Sequence, residues 1–180
     1  MADDTQDLAV AVAADDHAQG SADAPLVLVQ YGDYECPYTR RSLAEVEAVR
    51  AELGPALRWI CRNFPLTEIH PHALQAAEAA EAADGQGRFW EMHALLFAGQ
   101  DHLEAADLRR YADELGLDTD RFTRDLEGHT RLARIEADVD GGVRSGVGGT
   151  PTFFTNGVRH DGPYDAAALL AALSATAPPR

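Results

Sequence analysis

A chain of 180 residues, 46% apolar and 25% charged, suits a single domain, or one domain carrying an insertion, with a sizeable buried core. Its formal net charge of −15 argues against nucleic acid and anionic membrane surfaces as partners, since like charge repels at both. Only Cys36 and Cys61 are cysteines, which excludes a disulfide-stapled scaffold and a cysteine-based zinc site.

At the N-terminus, the acidic stretch from Met1 to Asp7 lacks the basic and apolar regions of a secretory signal. No apolar run reaches the length of a membrane span, so the sequence predicts a cytoplasmic protein. Residues 8–13 (Leu-Ala-Val-Ala-Val-Ala) predict a short edge strand, and Asp15 to Asp23 a loop. Leu26 to Tyr31 is a continuous apolar strand of the buried, parallel-sheet kind. A short turn leads to Cys36, and Pro37 opens an amphipathic helix with Leu43, Val46, Val49 and Leu53 on one face and Gly54 as its stop. Leu57 to Phe64 reads as a second strand, so the first third of the chain is a βαβ unit with a right-handed crossover.

Residues 70–146 read as helical throughout. Pro71 starts an Ala-rich helix, and Arg88 to Ala98 continues with Phe89, Trp90, Leu95, Leu96 and Phe97. Glu104 to Leu115 stops at Gly116, and Asp118 caps a short helix carrying Phe122 and Leu126. Leu132, Ile135, Val139 and Val143 mark one face of a long helix that ends near Gly146. Thr152 to Phe154, the turn Asn156-Gly157 and Val158 to His160 give a hairpin signal. Ala166 to Leu173 forms a closing helix, and 176–180 is expected to fray.

The junction at Cys36 carries the chemistry. Unpaired N–H groups and the positive end of the helix dipole stabilise a thiolate at a helix N-terminus, and the thiolate is the form that attacks disulfides. Thr39 stands where a Cys-x-x-Cys motif would place its second cysteine, one turn on and on the same face. Its hydroxyl can donate to the thiolate, or it can satisfy a backbone carbonyl. Tyr38 offers an aromatic rim. Arg40 and Arg41 either hold a carboxylate such as that of glutathione or form a solvated face. Asp33 and Glu35 would oppose the thiolate if close. Cys61, inside a strand, is either a small apolar residue or a resolving partner. His70, His72 and His93 raise the question of a metal, but no carboxylate or cysteine stands at ligand spacing, and a helix start and a packed face account for them; no metal is expected. Neither Asp16-His17 nor Asp101-His102 adjoins a serine nucleophile, and no phosphate-cradling glycine loop is present.

Several blocks follow one another along the chain: Asp16-His17, Gly20 and Ala24-Pro25; Gly32-Asp33-Tyr34-Glu35-Cys36-Pro37-Tyr38; Arg62-Asn63-Phe64-Pro65-Leu66; His70-Pro71-His72-Ala73; Phe89-Trp90-Glu91-Met92-His93; and Gly148-Gly149-Thr150-Pro151-Thr152-Phe153. In that order they resemble the DsbA-like branch of the thioredoxin-fold thiol–disulfide oxidoreductases over nearly the whole chain. The resemblance implies an α/β, thioredoxin-like fold with an inserted all-helical domain: residues 1–66 and 147–180 would form the thioredoxin-like domain and 67–146 the insertion. It also implies a cis bond at Pro151 facing Cys36, where the backbone of Thr150 would pair with an extended substrate segment. Two departures stand out. Thr39 replaces the second cysteine, giving Cys-Pro-Tyr-Thr, and Gln30 occupies a position where related proteins often bury a proton-carrying Glu.

The expected function is therefore that of a monothiol thiol–disulfide oxidoreductase. Cys36 would act with Pro37, Tyr38 and Thr39, while Thr150, Pro151 and Arg40 bind substrate. No cofactor is expected to be bound; glutathione or a similar low-molecular-weight thiol would be co-substrate, and a disulfide-containing or thiolated protein or peptide the partner. Two alternatives remain open on the sequence: a redox-inactive peptide-binding module, and a glutathione-transferase-like enzyme using the Thr39 hydroxyl.

Overall fold

The computed structural model describes residues 7–177. Among them the chain is mixed α/β, with five strands and seven α-helices. In order these are β1 (His17–Gln19), β2 (Leu26–Gly32), α1 (Pro37–Leu53), β3 (Leu57–Asn63), α2 (Ala73–Asp84), α3 (Phe89–Ala98), α4 (Ala105–Glu114), α5 (Thr119–Glu127), α6 (Leu132–Arg144), β4 (Thr152–Thr155), β5 (Val158–His160) and α7 (Ala166–Ala175). The chain divides into two compact units. Of the described residues, one holds 7–32, Tyr38–Arg62 and 140–177; the other holds Asp33–Pro37 and Asn63–Val139.

The first unit is built on a sheet of order β1-β3-β2-β4-β5. β4 runs antiparallel to β2, with Gln30 opposite Phe153, and β5 antiparallel to β4. Leu28, Val29 and Tyr31 of β2 are fully buried, as a continuous apolar run requires, and share the core with Val46, Val49, Ile60, Phe154, Leu169 and Leu173. Tyr31 and Phe154 meet edge to face at 5.9 Å between centroids. The β4–β5 turn demands positive φ at both central residues, and Asn156 (50°) and Gly157 (89°) supply it. Asn156 also ties the turn down: its Oδ1 accepts from the Val27 N–H at 2.7 Å and its Nδ2 donates to the Leu173 carbonyl. Two carboxylates secure the start of α7, Asp165 accepting from the Ala168 N–H and Glu45 from the Ala166 N–H.

The edge strand lies elsewhere than the apolar stretch 8–13 predicts. Residues 8–13 form no strand, because their backbone groups are taken by other partners. The Val10 and Ala11 carbonyls accept from the Arg62 guanidinium at 2.9 and 3.1 Å, and the Leu8 N–H donates to Gly157. β1 instead falls within the stretch expected as loop, antiparallel to β3 with His17 opposite Cys61. Arg62 is almost fully buried and forms a two-pronged pair with Asp16, both contacts at 2.8 Å. Burial alone would lower its pKa, but hydrogen bonds to Asp16 and Tyr31 outweigh this and hold it above the ordinary arginine value. A second correction concerns α6. Val143 is 60% exposed, while Asp138 takes a buried place off the expected stripe.

The second unit is a helical cluster. α2 is buried on almost every side, which its alanines allow, and α3, α4 and α5 pack against it. Its two buried acids both have partners: Glu78 meets His129 Nδ1 at 2.7 Å, and Glu81 accepts from Asn63 Nδ2 at 2.8 Å. The segment Asp33–Pro37 clusters with these helices although the chain delivers it straight from β2.

Candidate active site

Cys36 is the last residue before α1, and its N–H donates to the Asp33 carbonyl at 3.2 Å, closing a turn. The three side chains before it are each engaged by the helical unit. Asp33 is buried; its Oδ1 accepts from the Glu35 N–H, and its Oδ2 accepts from the Leu66 N–H and meets His70 Nδ1 at 2.7 Å. The Tyr34 hydroxyl lies 3.0 Å from His93 Nδ1, with its ring against Phe97 at 4.8 Å. Glu35 accepts from the His72 N–H at 2.7 Å and meets His72 Nδ1 at 2.9 Å. Gln100 Nε2 donates to the carbonyls of Tyr34 (2.7 Å) and Cys36 (3.0 Å). The two acids expected to oppose a thiolate are thus each drawn to a histidine. Next to this loop lies a cavity of about 400 Å³, bordered by Glu35, Pro37, His72, Gln100 and Leu103.

Cys36 itself is only 3% exposed. Pro37 is exposed and Tyr38 is 55% exposed, with the Arg41 guanidinium 4.4 Å above its ring. Thr39 is buried, and its methyl would lie 3.0 Å from a Cβ on Gly32, so that position admits only glycine without a shift. Arg40 is exposed on α1. The Thr150–Pro151 bond is cis and half-buried at the start of β4. Cys61 is buried in β3. Cys36 and Pro37 cluster with the helical unit, whereas Tyr38, Thr39, Arg40, Cys61, Thr150 and Pro151 belong to the sheet unit. Among the described residues, no group of three or more His, Cys, Asp or Glu is placed to hold a metal ion.

Gln30 explains itself through its neighbours. Its Nε2 donates to Ser42 Oγ at 3.0 Å, while its Oε1 accepts from Trp59 Nε1 at 3.2 Å. Ser42 donates its own hydroxyl proton to the Thr39 carbonyl at 2.7 Å. Residue 30 must therefore donate on one side and accept on the other. An amide does both; an ionised carboxylate cannot.

Sequence reasoning passed over His70, His72, His93 and Gln100 as parts of this site. A signal existed for the first two, since two acids beside a thiol need counterparts. Gln100 offered none.

The family model described as Thioredoxin matches residues 13–175. The chain belongs to the thioredoxin family. A thioredoxin-like oxidoreductase from Silicibacter pomeroyi DSS-3 superposes with a TM-score of 0.77 at 29% identity, over 88% of this chain and 90% of that one. The thiol-disulfide exchange protein alpha-DsbA2 from Wolbachia pipientis gives 0.73 at 18% identity over 88% and 85%, so the thioredoxin fold here is of the DsbA-like kind. Among curated proteins, the chain is 50% identical over 168 residues to the Na(+)/H(+) antiporter NhaA 3 of Salinispora tropica, a match covering 93% of this chain and 26% of the antiporter. The chain spans about a quarter of the length of that relative. Among the described residues, no helix is long and apolar enough to cross a membrane.

Proposed function

We propose that the protein is a thiol–disulfide oxidoreductase working through the single sulfur of Cys36. The thiolate attacks the glutathione sulfur of a mixed disulfide between a protein or peptide and glutathione, or a similar low-molecular-weight thiol. The substrate S–S bond breaks, a Cys36–glutathione disulfide forms, and the substrate leaves as a thiolate that takes up a proton. A second glutathione thiolate then attacks the mixed disulfide, restoring the Cys36 thiolate and releasing oxidised glutathione. Both electrons come from glutathione, and no bound cofactor takes part.

One observation carries this reading: Cys36 immediately precedes a 17-residue helix whose first turn holds Thr39 in place of a second cysteine. The helix dipole and the N–H groups of its first turn favour the attacking thiolate, while the motif holds no second cysteine to resolve it. Gln30 supports the same reading, since its neutral amide network replaces the proton carrier that closing a disulfide within the motif would use. Exposed Arg40 and Tyr38 flank the incoming thiol compound, and the backbone of Thr150 pairs with an extended substrate segment beside Pro151. A cytoplasmic setting belongs to the same proposal, because a reducing thiol pool supplies the second thiol.

The near-complete burial of Cys36 favours one competing reading, a peptide-binding module in which the cysteine does no chemistry. We assign the transport activity of the antiporter relative to the parts of it that this chain does not match, since ion translocation needs membrane-spanning segments. Turnover of a glutathionylated peptide in the presence of glutathione tests the proposal. Activity should vanish in Cys36→Ser and persist in Cys61→Ser. No turnover by the wild type would favour the binding module, and turnover that requires Cys61 would overturn the monothiol mechanism.

A further inference from the structure

Gln100 lies between α3 and α4, and it directs one amide nitrogen at two carbonyls of a segment 64 residues away in sequence. The two acceptors, Tyr34 O and Cys36 O, bracket the last peptide units before α1. The contacts of His70, His93 and His72 reach Asp33, Tyr34 and Glu35 through their side chains, whereas Gln100 holds the backbone of the cysteine itself. Gln100 is also part of the wall of the cavity that opens beside Pro37.

We propose that Gln100 is a positioning residue for Cys36, an inference that rests on the reading of Cys36 as the nucleophile. Two effects follow from its double donation. The first is geometric: tying residues 34 and 36 to one nitrogen fixes the turn that presents the sulfur, so less order has to be gained at the moment of attack. The second is electrostatic. The two amide protons offset the negative ends of the carbonyl dipoles flanking Cys36, which would otherwise disfavour charge on its sulfur. Glu at this position would have nearly the same shape but, when ionised, no donor, and would turn a carboxylate toward both carbonyls.

The test uses the full chain carrying Cys61→Ser, so that only Cys36 reports. The rate of reaction with 5,5′-dithiobis(2-nitrobenzoate) is followed as a function of pH for the parent, Gln100→Glu and Gln100→Ala. Gln75→Ala serves as control, because Gln75 donates to the Leu103 carbonyl in the same unit. At neutral pH the Glu variant should react about tenfold more slowly than the parent and the Ala variant several-fold more slowly. The midpoints of both pH profiles should lie higher than the parent's. The control should keep the parent's profile; a shift in it as large as those of the Gln100 variants would overturn the specific role. Unfolding midpoints in urea establish that each variant compared is folded, and Gln100→Ala, which adds no charge, decides the matter if the Glu variant does not fold. A fast parent with both variants inside twofold of it at every pH would overturn this inference alone. A parent no faster than glutathione itself would overturn the Cys36 reading and this inference with it.

Discussion

Replacing Gln30 by Glu puts an acid where the buried amide stands, and the structure says what that costs. The site is 1% exposed, and its two neighbours ask for one donor and one acceptor. An ionised glutamate at this position could still accept from Trp59 but would face the lone pairs of Ser42, whose proton is committed to the Thr39 carbonyl. The protonated acid keeps every hydrogen bond, its O–H donating to Ser42, so the folded protein takes up a proton there. Taking about 4.3 for an unfolded Glu and about 1.36 kcal/mol per pH unit, holding it neutral costs about 3.7 kcal/mol at pH 7 and about 1 kcal/mol at pH 5. The sign follows from linkage. A carboxyl whose folded pKa is raised is most penalised at high pH, and the penalty disappears below the unfolded pKa. Urea unfolding of the wild type and Gln30→Glu at both pH values, followed by circular dichroism, measures the difference. Equal stability at pH 7, or a loss of the same size at both pH values, would show that residue 30 does not need both a donor and an acceptor.

Three further substitutions test the framework around the site. Asp16→Ala leaves the buried Arg62 charge uncompensated and should cost about 3–5 kcal/mol in urea unfolding; adding Arg62→Met should recover part of it. Asn156→Ala removes the cap on the Val27 N–H and places alanine at φ 50°, so a loss of about 1–3 kcal/mol is expected from the same measurement. Tyr34→Phe deletes the hydrogen bond to His93 within an intact aromatic cluster, and its unfolding midpoint should fall by an amount equivalent to about 1 kcal/mol.

Local signals in the sequence were strong wherever a single residue or short period dictates the backbone. The apolar run at Leu26, Pro37 after Cys36, Gly54 after α1 and Asn156-Gly157 each fixed an element that the structure contains. Residues 8–13 are also an apolar run and form no strand, because Arg62, far off in sequence, claims the Val10 and Ala11 carbonyls. β1 has no pattern to betray it, since His17-Ala18-Gln19 is too short and too polar. At the site the same division holds. Cys36 at a helix start is a local fact, whereas the contacts of His70, His93 and Gln100 with its loop cross 37, 59 and 64 residues. No spacing rule reaches that far. Gln30 marked a departure from the related pattern, but only Ser42 and Trp59 reveal why an amide is required there.

Mass spectrometry after exposure to oxidised glutathione decides whether Cys36 alone forms and releases a mixed disulfide. A monothiol mechanism gives a single glutathione on Cys36, none on Cys61, and its removal by added glutathione. An internal Cys36–Cys61 disulfide, or a Cys36 left unmodified, would contradict it.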